Sequence, residues 1–212
     1  MFKDRTDAGR QLAAAVAALG AIDPIVLALP RGGAPVALEI ARALHAPLDL
    51  LFVRKLGAPG DPELAIGAII DGPAPHVWLN EELIAHLGAP RGYIDALTAQ
   101  ARDEIARRRA LYLPGRAPLS LEGRTLILVD DGLATGASLR AAIAAVKGQR
   151  PRRVIVAIPV AAADSANEIG ALVDDFVCLE RPRVFRAVGE HYEDFHQLTD
   201  EEVIALLADA AL

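Results

Sequence analysis

The sequence predicts an α/β fold with a mostly parallel sheet flanked by helices, and three observations lead there. Short apolar runs rich in Val, Ile and Leu, such as those at 25–29, 126–129 and 154–158, are of the kind buried on both faces of a parallel sheet. Alanine- and leucine-rich segments of helical length alternate with them. The composition agrees: 53% of the 212 residues are hydrophobic but only 4% are aromatic. That length suits one domain with a sizeable core, so a single domain over residues 1–212 is expected.

In chain order, residues 8–19 read as a helix and 24–30 as a short strand between prolines. Arg31-Gly32-Gly33 makes a turn into a helix from Ala34 to Leu44. Leu48 to Val53 reads as the second strand, ending at Arg54-Lys55 and completing a βαβ unit. Leu56 to Pro62, rich in Gly and Pro, reads as a loop. Strands are expected at 66–70 and 77–79, followed by a helix capped by Asn80. A longer charged helix at 93–112 completes a helical insertion over about 80–113. Its Arg107-Arg108-Arg109 run reads as a solvated face beside Asp103 and Glu104 rather than as a nucleic-acid patch.

After a linker at 114–123 come a strand and helix over 125–147 and a strand at 154–159. Ser165 with Glu168 has the spacing of a capping box, and Asp175 to Leu179 reads as the last core strand, burying Cys178. A tail of mixed aromatics and charges follows, and Thr199 with Glu202 caps a final helix.

The bulk properties exclude several functions. A net charge of −6 argues against a general nucleic-acid or membrane-surface role. A single cysteine excludes an internal disulfide framework and a cysteine-based zinc site. Charges in Met1-Phe2-Lys3-Asp4-Arg5 stand where a secretion signal needs apolar residues, and no window has the apolar length of a membrane span. The expectation is a cytoplasmic protein with neither nucleic-acid nor membrane partners. Neither Gly-x-x-x-x-Gly-Lys-Ser/Thr nor a Gly-x-Gly-x-x-Gly after the first strand is present, which disfavours a P-loop hydrolase and a dinucleotide-dependent oxidoreductase.

Chemistry concentrates in Leu126-Ile127-Leu128-Val129-Asp130-Asp131-Gly132-Leu133-Ala134-Thr135-Gly136-Ala137-Ser138. An apolar strand delivers two carboxylates to its C-terminal end, and a loop of small residues leads into a helix start with free N–H groups. Two adjacent like charges on an apolar strand are costly unless something pairs with them. Carboxylates beside a phosphate cradle suit a sugar phosphate; the plainer reading is an ordinary βα loop.

Asp130-Asp131-x-x-x-Thr135-Gly136-x-Ser138 behind a hydrophobic strand resembles the phosphoribosyl diphosphate (PRPP) motif of the type I phosphoribosyltransferases. The order of segments from about Leu12 to about Val203 is also similar to that family, most of all to a bacterial subgroup described only as predicted phosphoribosyltransferases. The resemblance implies the Rossmann-like fold of that family with a small C-terminal hood at about 180–198. It implies PRPP and a small nitrogenous base, a purine or related heterocycle, as substrates, Mg²⁺ as cofactor, and diphosphate as a product. A PRPP-binding sensor without transferase activity is the alternative, and a homodimer is left open.

Residue by residue, the resemblance assigns Asp130 and Asp131 to the ribose hydroxyls, and to the metal mostly through substrate and water. Gly132, Ala134, Thr135, Gly136, Ala137 and Ser138 form the loop that takes the 5-phosphate. Arg31, Gly32 and Gly33 stand at the diphosphate loop; a turn with a surface arginine is the plain reading. Arg54 and Lys55 stand where a basic residue contacts diphosphate; Lys55 is favoured because neighbours on a strand face opposite ways. The 57–63 segment matches a mobile closing loop, with Glu63 a candidate acid for base protonation. Phe185 matches the aromatic that stacks on the base in 6-oxopurine enzymes, and Tyr192 and His191 are candidates to line the same hood; packing of the tail is the alternative. One departure stands out: Ala134 replaces the aspartate that handles a purine proton in 6-oxopurine enzymes, and Leu-Ala-Thr-Gly is the loop of adenine enzymes. No base is assigned.

Overall fold

The computed structural model describes residues 1–72 and 76–209. Five parallel strands form the central sheet: β1 (Pro24–Ala28), β2 (Leu48–Leu50), β6 (Thr125–Val129), β7 (Arg153–Val160) and β8 (Asp175–Glu180), in the order β2-β1-β6-β7-β8. A second, antiparallel sheet contains β3 (Val53–Ala58), β4 (Asp61–Ile70) and β5 (His76–Leu79). The helices are α1 (Arg5–Ala17), α2 (Gly33–Leu44), α3 (Glu81–Leu87), α4 (Arg91–Tyr112), α5 (Ala137–Lys147), α6 (Ala163–Gly170) and α7 (Asp200–Asp209).

Strand periodicity divides the core. Val26, Ala28, Ile127 and Val129 face a cluster with Leu12 and Val16 of α1 and Ile40 of α2. Their neighbours Ile25, Leu27, Leu126 and Leu128 face Ile143 and Val146 of α5 and Ile169 of α6. Successive side chains on a strand point to opposite faces. Continued past β6, that alternation turns Asp130 toward the α5 face and Asp131 toward α1.

The sheet differs from the expected one at β2. Pairing with β1 covers only Val26–Leu48, Leu27–Asp49 and Ala28–Leu50. The Leu51 amide donates one more bond, to the Ala28 carbonyl at 2.9 Å, and the chain then leaves for the second sheet. Arg54 and Lys55 are therefore on β3, opposite Ile69 and Ala68 of β4, and not at the end of a central strand. The segment 56–62, expected to be a loop, is mostly a β-hairpin. Its register shifts between Leu56 and Ala58, and Gly60 sits at φ 82° in the turn.

A buried ion-pair network fastens α4 across this junction. Arg109 reaches Asp71 at 2.5 Å and Asp49 at 3.0 Å, with all three side chains largely buried. Arg109 is thus no part of a solvated face. The Thr199–Glu202 capping box is formed in both directions, at 3.2 and 2.7 Å, and Asn80 caps α3. Ser165 does not cap α6: Ala162 holds that position, and the Ser165 hydroxyl bonds the Ala134 carbonyl instead. Cys178 lies half-buried on the edge strand β8 rather than within the core.

Candidate active site

The C-terminal ends of β1 and β6 are adjacent in the sheet, and the turns that follow them meet there. After β1 the Leu29 amide bonds the Val129 carbonyl at 2.9 Å, and the chain turns through Arg31 and Gly32 into α2. The turn presses directly onto the acidic pair. A Cβ on Gly32 would lie 2.1 Å from Asp131 Oδ2, and one on Gly33 would lie 2.5 Å from the Val129 carbonyl oxygen. Only glycine permits that approach.

Asp131 does not stand free. Arg5, at the start of α1, places Nε 2.8 Å from Asp131 Oδ2. The same guanidinium donates to the His196 carbonyl at 2.9 Å and stacks over the Phe195 ring at 3.9 Å. The Asp131 carbonyl accepts the Tyr192 hydroxyl at 2.6 Å. One motif residue is therefore tied to both the N-terminal helix and the tail. Burial pushes the Asp131 carboxyl above the usual carboxylate range, and Arg5 only partly offsets this. Asp130 is pushed well above it by burial and by the charge of Asp131.

The loop beyond is held by its carbonyls. Leu133 pairs as an extra bridge with Ala161, its amide bonding Val160 at 2.9 Å and its carbonyl receiving the Ala162 amide at 2.9 Å. The Ala134 carbonyl takes Ser165, and the Thr135 carbonyl takes Arg140 at 2.7 Å. Glu168 in turn holds Arg140 at 2.7 Å. Gly136 caps α5 at φ 72°, a left-handed conformation that suits glycine. Thr135 and Ser138 are exposed, beside first-turn amides that have no acceptor within the helix. The arrangement can receive an anion at α5 and hydroxyl donors at the carboxylates.

Arg31 borders the turn, its Nη1 3.4 Å from Asp200 of α7. Arg54 leans onto α4, where it pairs with Glu104, while its buried Nε has no hydrogen-bond partner. Lys55 is half-buried beside it on β3. Glu63 belongs to β4, and its side chain lies outside the described residues.

In the tail, Phe185 stacks on His191, with centroids 5.5 Å apart and rings 15° from parallel. Val188 packs on the motif, since a Cβ on Gly132 would lie 2.3 Å from its Cγ1. Tyr192 is buried against Phe2 and Phe195, so it braces the Asp131 backbone from within. Burial and the nearby Asp131 charge push its hydroxyl well above the ordinary tyrosine value. Arg5 and Asp200 were not singled out in the sequence. The alternation of faces past Val129 was the one available hint that Asp131 would meet α1.

The phosphoribosyl transferase domain model matches residues 4–194. A protein of Mycobacterium tuberculosis strain H37Rv named "Putative phosphoribosyl transferase Rv0571c" is 42% identical over 207 residues, which is 98% of this chain and 46% of that protein. The corresponding protein of strain CDC 1551, MT0597, matches equally. The chain thus spans about half the length of these curated relatives. The crystal structure of TT1426 from Thermus thermophilus superimposes with a TM-score of 0.89 at 43% identity, covering 100% of this chain and 99% of that one. An acidic pair closing a central strand, a glycine turn pressed onto it and a family match spanning both agree: the chain belongs to the phosphoribosyl transferase domain family.

Proposed function

We propose that this protein binds PRPP with Mg²⁺ and transfers its phosphoribosyl group to a nitrogenous base, releasing diphosphate. The observation that supports this reading is the Gly32 turn packed on Asp131, which sets a glycine turn beside the two carboxylates that precede the α5 start.

In this reading the 5-phosphate rests on the amides of residues 135–138 with the Thr135 and Ser138 hydroxyls. Asp130 and Asp131 accept hydrogen bonds from the ribose 2- and 3-hydroxyls. Arg31, the turn amides and Lys55 stabilise the leaving diphosphate as its charge grows. The C1–O bond breaks with its electron pair leaving on diphosphate, and a base nitrogen forms the new bond to C1. The carboxylates beneath the ring favour the positive charge that develops there. Phe185 offers a ring face to a flat acceptor. Ala134 supplies no proton acceptor for the base, so orientation and field carry most of the acceleration.

The donor set fits Mg²⁺. Carboxylate oxygens are hard ligands, and the described residues contain no cluster of three or more His, Cys, Asp or Glu able to hold a metal by itself. A Mg²⁺ ion sharing substrate oxygens and waters with Asp130 and Asp131 would neutralise charge on the diphosphate.

Calorimetry with PRPP and Mg²⁺ tests the reading. Wild type should bind, and Asp130→Asn/Asp131→Asn should lose most of the affinity; equal binding by both would overturn the site. A screen of nucleobases and small nitrogen heterocycles should then identify the acceptor by PRPP-dependent diphosphate release. Binding without release for every acceptor would favour a PRPP sensor.

A further inference from the structure

Ser165 and Glu168 have the spacing of a capping box, yet the N-terminal position of α6 belongs to Ala162 and carries no side-chain bond. Both side chains serve the motif loop instead. The Ser165 hydroxyl donates to the Ala134 carbonyl. Glu168 Oε2 accepts from Arg140 Nη1 at 2.7 Å, and Arg140 Nη2 donates to the Thr135 carbonyl at 2.7 Å. One residue earlier, the Leu133 carbonyl accepts the Ala162 amide at 2.9 Å. Three successive carbonyls are thus fixed by the α6 segment and Arg140. The clamp sits close behind the loop: a Cβ on Gly136 would lie 3.5 Å from both Arg140 Nη1 and Ile169 Cδ1 of α6.

The consequence follows from peptide geometry. A trans peptide is planar, so its C=O and the following N–H point in opposite directions. The peptides of this loop are trans. Fixing the Leu133, Ala134 and Thr135 carbonyls therefore turns the Ala134, Thr135 and Gly136 amides away from the clamp. Among the described residues, those three amides reach no acceptor. They lead directly into the first-turn amides of α5, which lack acceptors within the helix. Ala134 and Thr135 are exposed, so packing does little to hold them. Donors held in one orientation before a ligand arrives lose less freedom on binding than a loop that must order itself.

We propose that Arg140, Ser165 and Glu168 are positioning residues for the 5-phosphate: they hold the loop carbonyls outward so that the amides of 135 and 136 face the ligand. The inference rests on the reading of the α5 start as the 5-phosphate cradle. Ser165 acts through Ala134, Arg140 through Thr135, and Glu168 through Arg140; none of them needs to touch the phosphate. A rival role for Arg140 is simple attraction of the anion by charge, and the two roles differ in sign at Glu168. By charge alone, removing the Glu168 carboxylate favours an anion. In a clamp, it frees the Arg140 guanidinium and costs affinity.

Calorimetry of the full chain with ribose 5-phosphate tests this. Arg140→Met should weaken binding by about tenfold and Ser165→Ala by about threefold, the scale of a lost hydrogen bond with and without a charge. Arg140→Lys should recover part of the loss. Glu168→Ala should weaken binding, and Arg140→Met/Glu168→Ala should bind no worse than Arg140→Met, because Glu168 acts through Arg140. Melting temperatures should stay close to wild type, since the Arg140 and Glu168 side chains are 39% and 63% exposed. Unchanged or tighter binding in Glu168→Ala overturns the proposal. So does unchanged affinity in Arg140→Met and Ser165→Ala, or a loss of affinity that only follows a collapse in melting temperature. If Arg140→Met fails to fold, Ser165→Ala and Glu168→Ala decide. A wild type that does not bind ribose 5-phosphate overturns the α5 cradle together with the proposal. Binding by wild type with unchanged variants overturns the proposal alone.

Discussion

Arg5 Nε lies 2.8 Å from Asp131 Oδ2, in a pair whose side chains are only 9% and 14% exposed. The contact joins the first helix to the acidic pair that closes β6, across 126 residues of sequence. It sets where one of the two carboxylates can point, and that orientation is needed if Asp131 is to meet a ribose hydroxyl.

Arg5→Ala should therefore act on both stability and binding. Removing one partner of a largely buried pair typically costs about 3–5 kcal/mol, and the remaining exposure places the expected loss at about 3 kcal/mol. Urea unfolding checks the stability. PRPP affinity in the folded variant should fall, and Arg5→Lys should recover part of it by keeping the charge. Unchanged affinity in a folded Arg5→Ala would show that Asp131 needs no such anchor.

Gly33→Ala and Gly132→Ala should differ in kind. The Gly33 Cβ would meet backbone, the Val129 carbonyl, which cannot move without disturbing the β1–β6 ladder. The Gly132 Cβ would meet the side chain of Val188, which can shift. Gly33→Ala should lower the melting temperature clearly. Gly132→Ala should melt closer to wild type, and Gly132→Ala/Val188→Ala should recover part of whatever it loses.

The Asp130 and Asp131 carboxyls hold their protons to higher pH than an ordinary carboxylate. Accepting bonds from ribose hydroxyls, or sharing Mg²⁺, requires the ionised form. PRPP affinity should therefore weaken as pH falls below neutral, beginning at a higher pH than an exposed aspartate would give. Calorimetry across pH 5–8 measures this, and a flat profile would count against carboxylate ligation.

Asp71 adds a separate pH effect on folding. Burial raises its carboxyl from 3.8 to about 6, against the opposing pull of Arg109. Between those values the folded state binds more protons than the unfolded state. The Asp71 contribution to stability is thus fully present below about 4 and is lost as pH rises through about 6. Asp71→Asn should flatten that part of the stability curve, as read by urea unfolding at a series of pH values. Arg109→Ala should be far more damaging, by about 3–5 kcal/mol, because it leaves Asp49 and Asp71 buried together.

The central sheet was largely legible in the sequence because strands buried on both faces are written as apolar runs. Leu126 to Val129, Val154 to Ile158 and the helix from Ala34 to Leu44 appear where local pattern puts them. Local pattern was weaker at 48–62. Continuity of apolar residues suggested one strand from Leu48 to Val53, but β1 offers pairing to only three of them. Gly57 and Gly60 read as a loop, yet a Gly57 Cβ would meet Pro62 at 2.7 Å, so the glycine lets two strands of a hairpin close. Ser165 and Glu168 have capping spacing, but the Ala134 carbonyl competes for the hydroxyl. Each miss turns on a partner that the local pattern does not show.

By itself the sequence determined the parallel α/β sheet, the family and the acidic motif with its Gly136 helix start. These depend on residue type at short spacing: apolar runs, two adjacent carboxylates, small residues where backbone must be exposed. Tertiary structure alone decided what surrounds the motif. It set Arg5 on Asp131, Tyr192 beneath the Asp131 carbonyl, Asp200 against Arg31 and the α4 arginines beside the glycine turn. Charges carry no marker of their partners along a chain. Only the packing of helices against the sheet brings them within a few ångströms, where burial makes pairing matter.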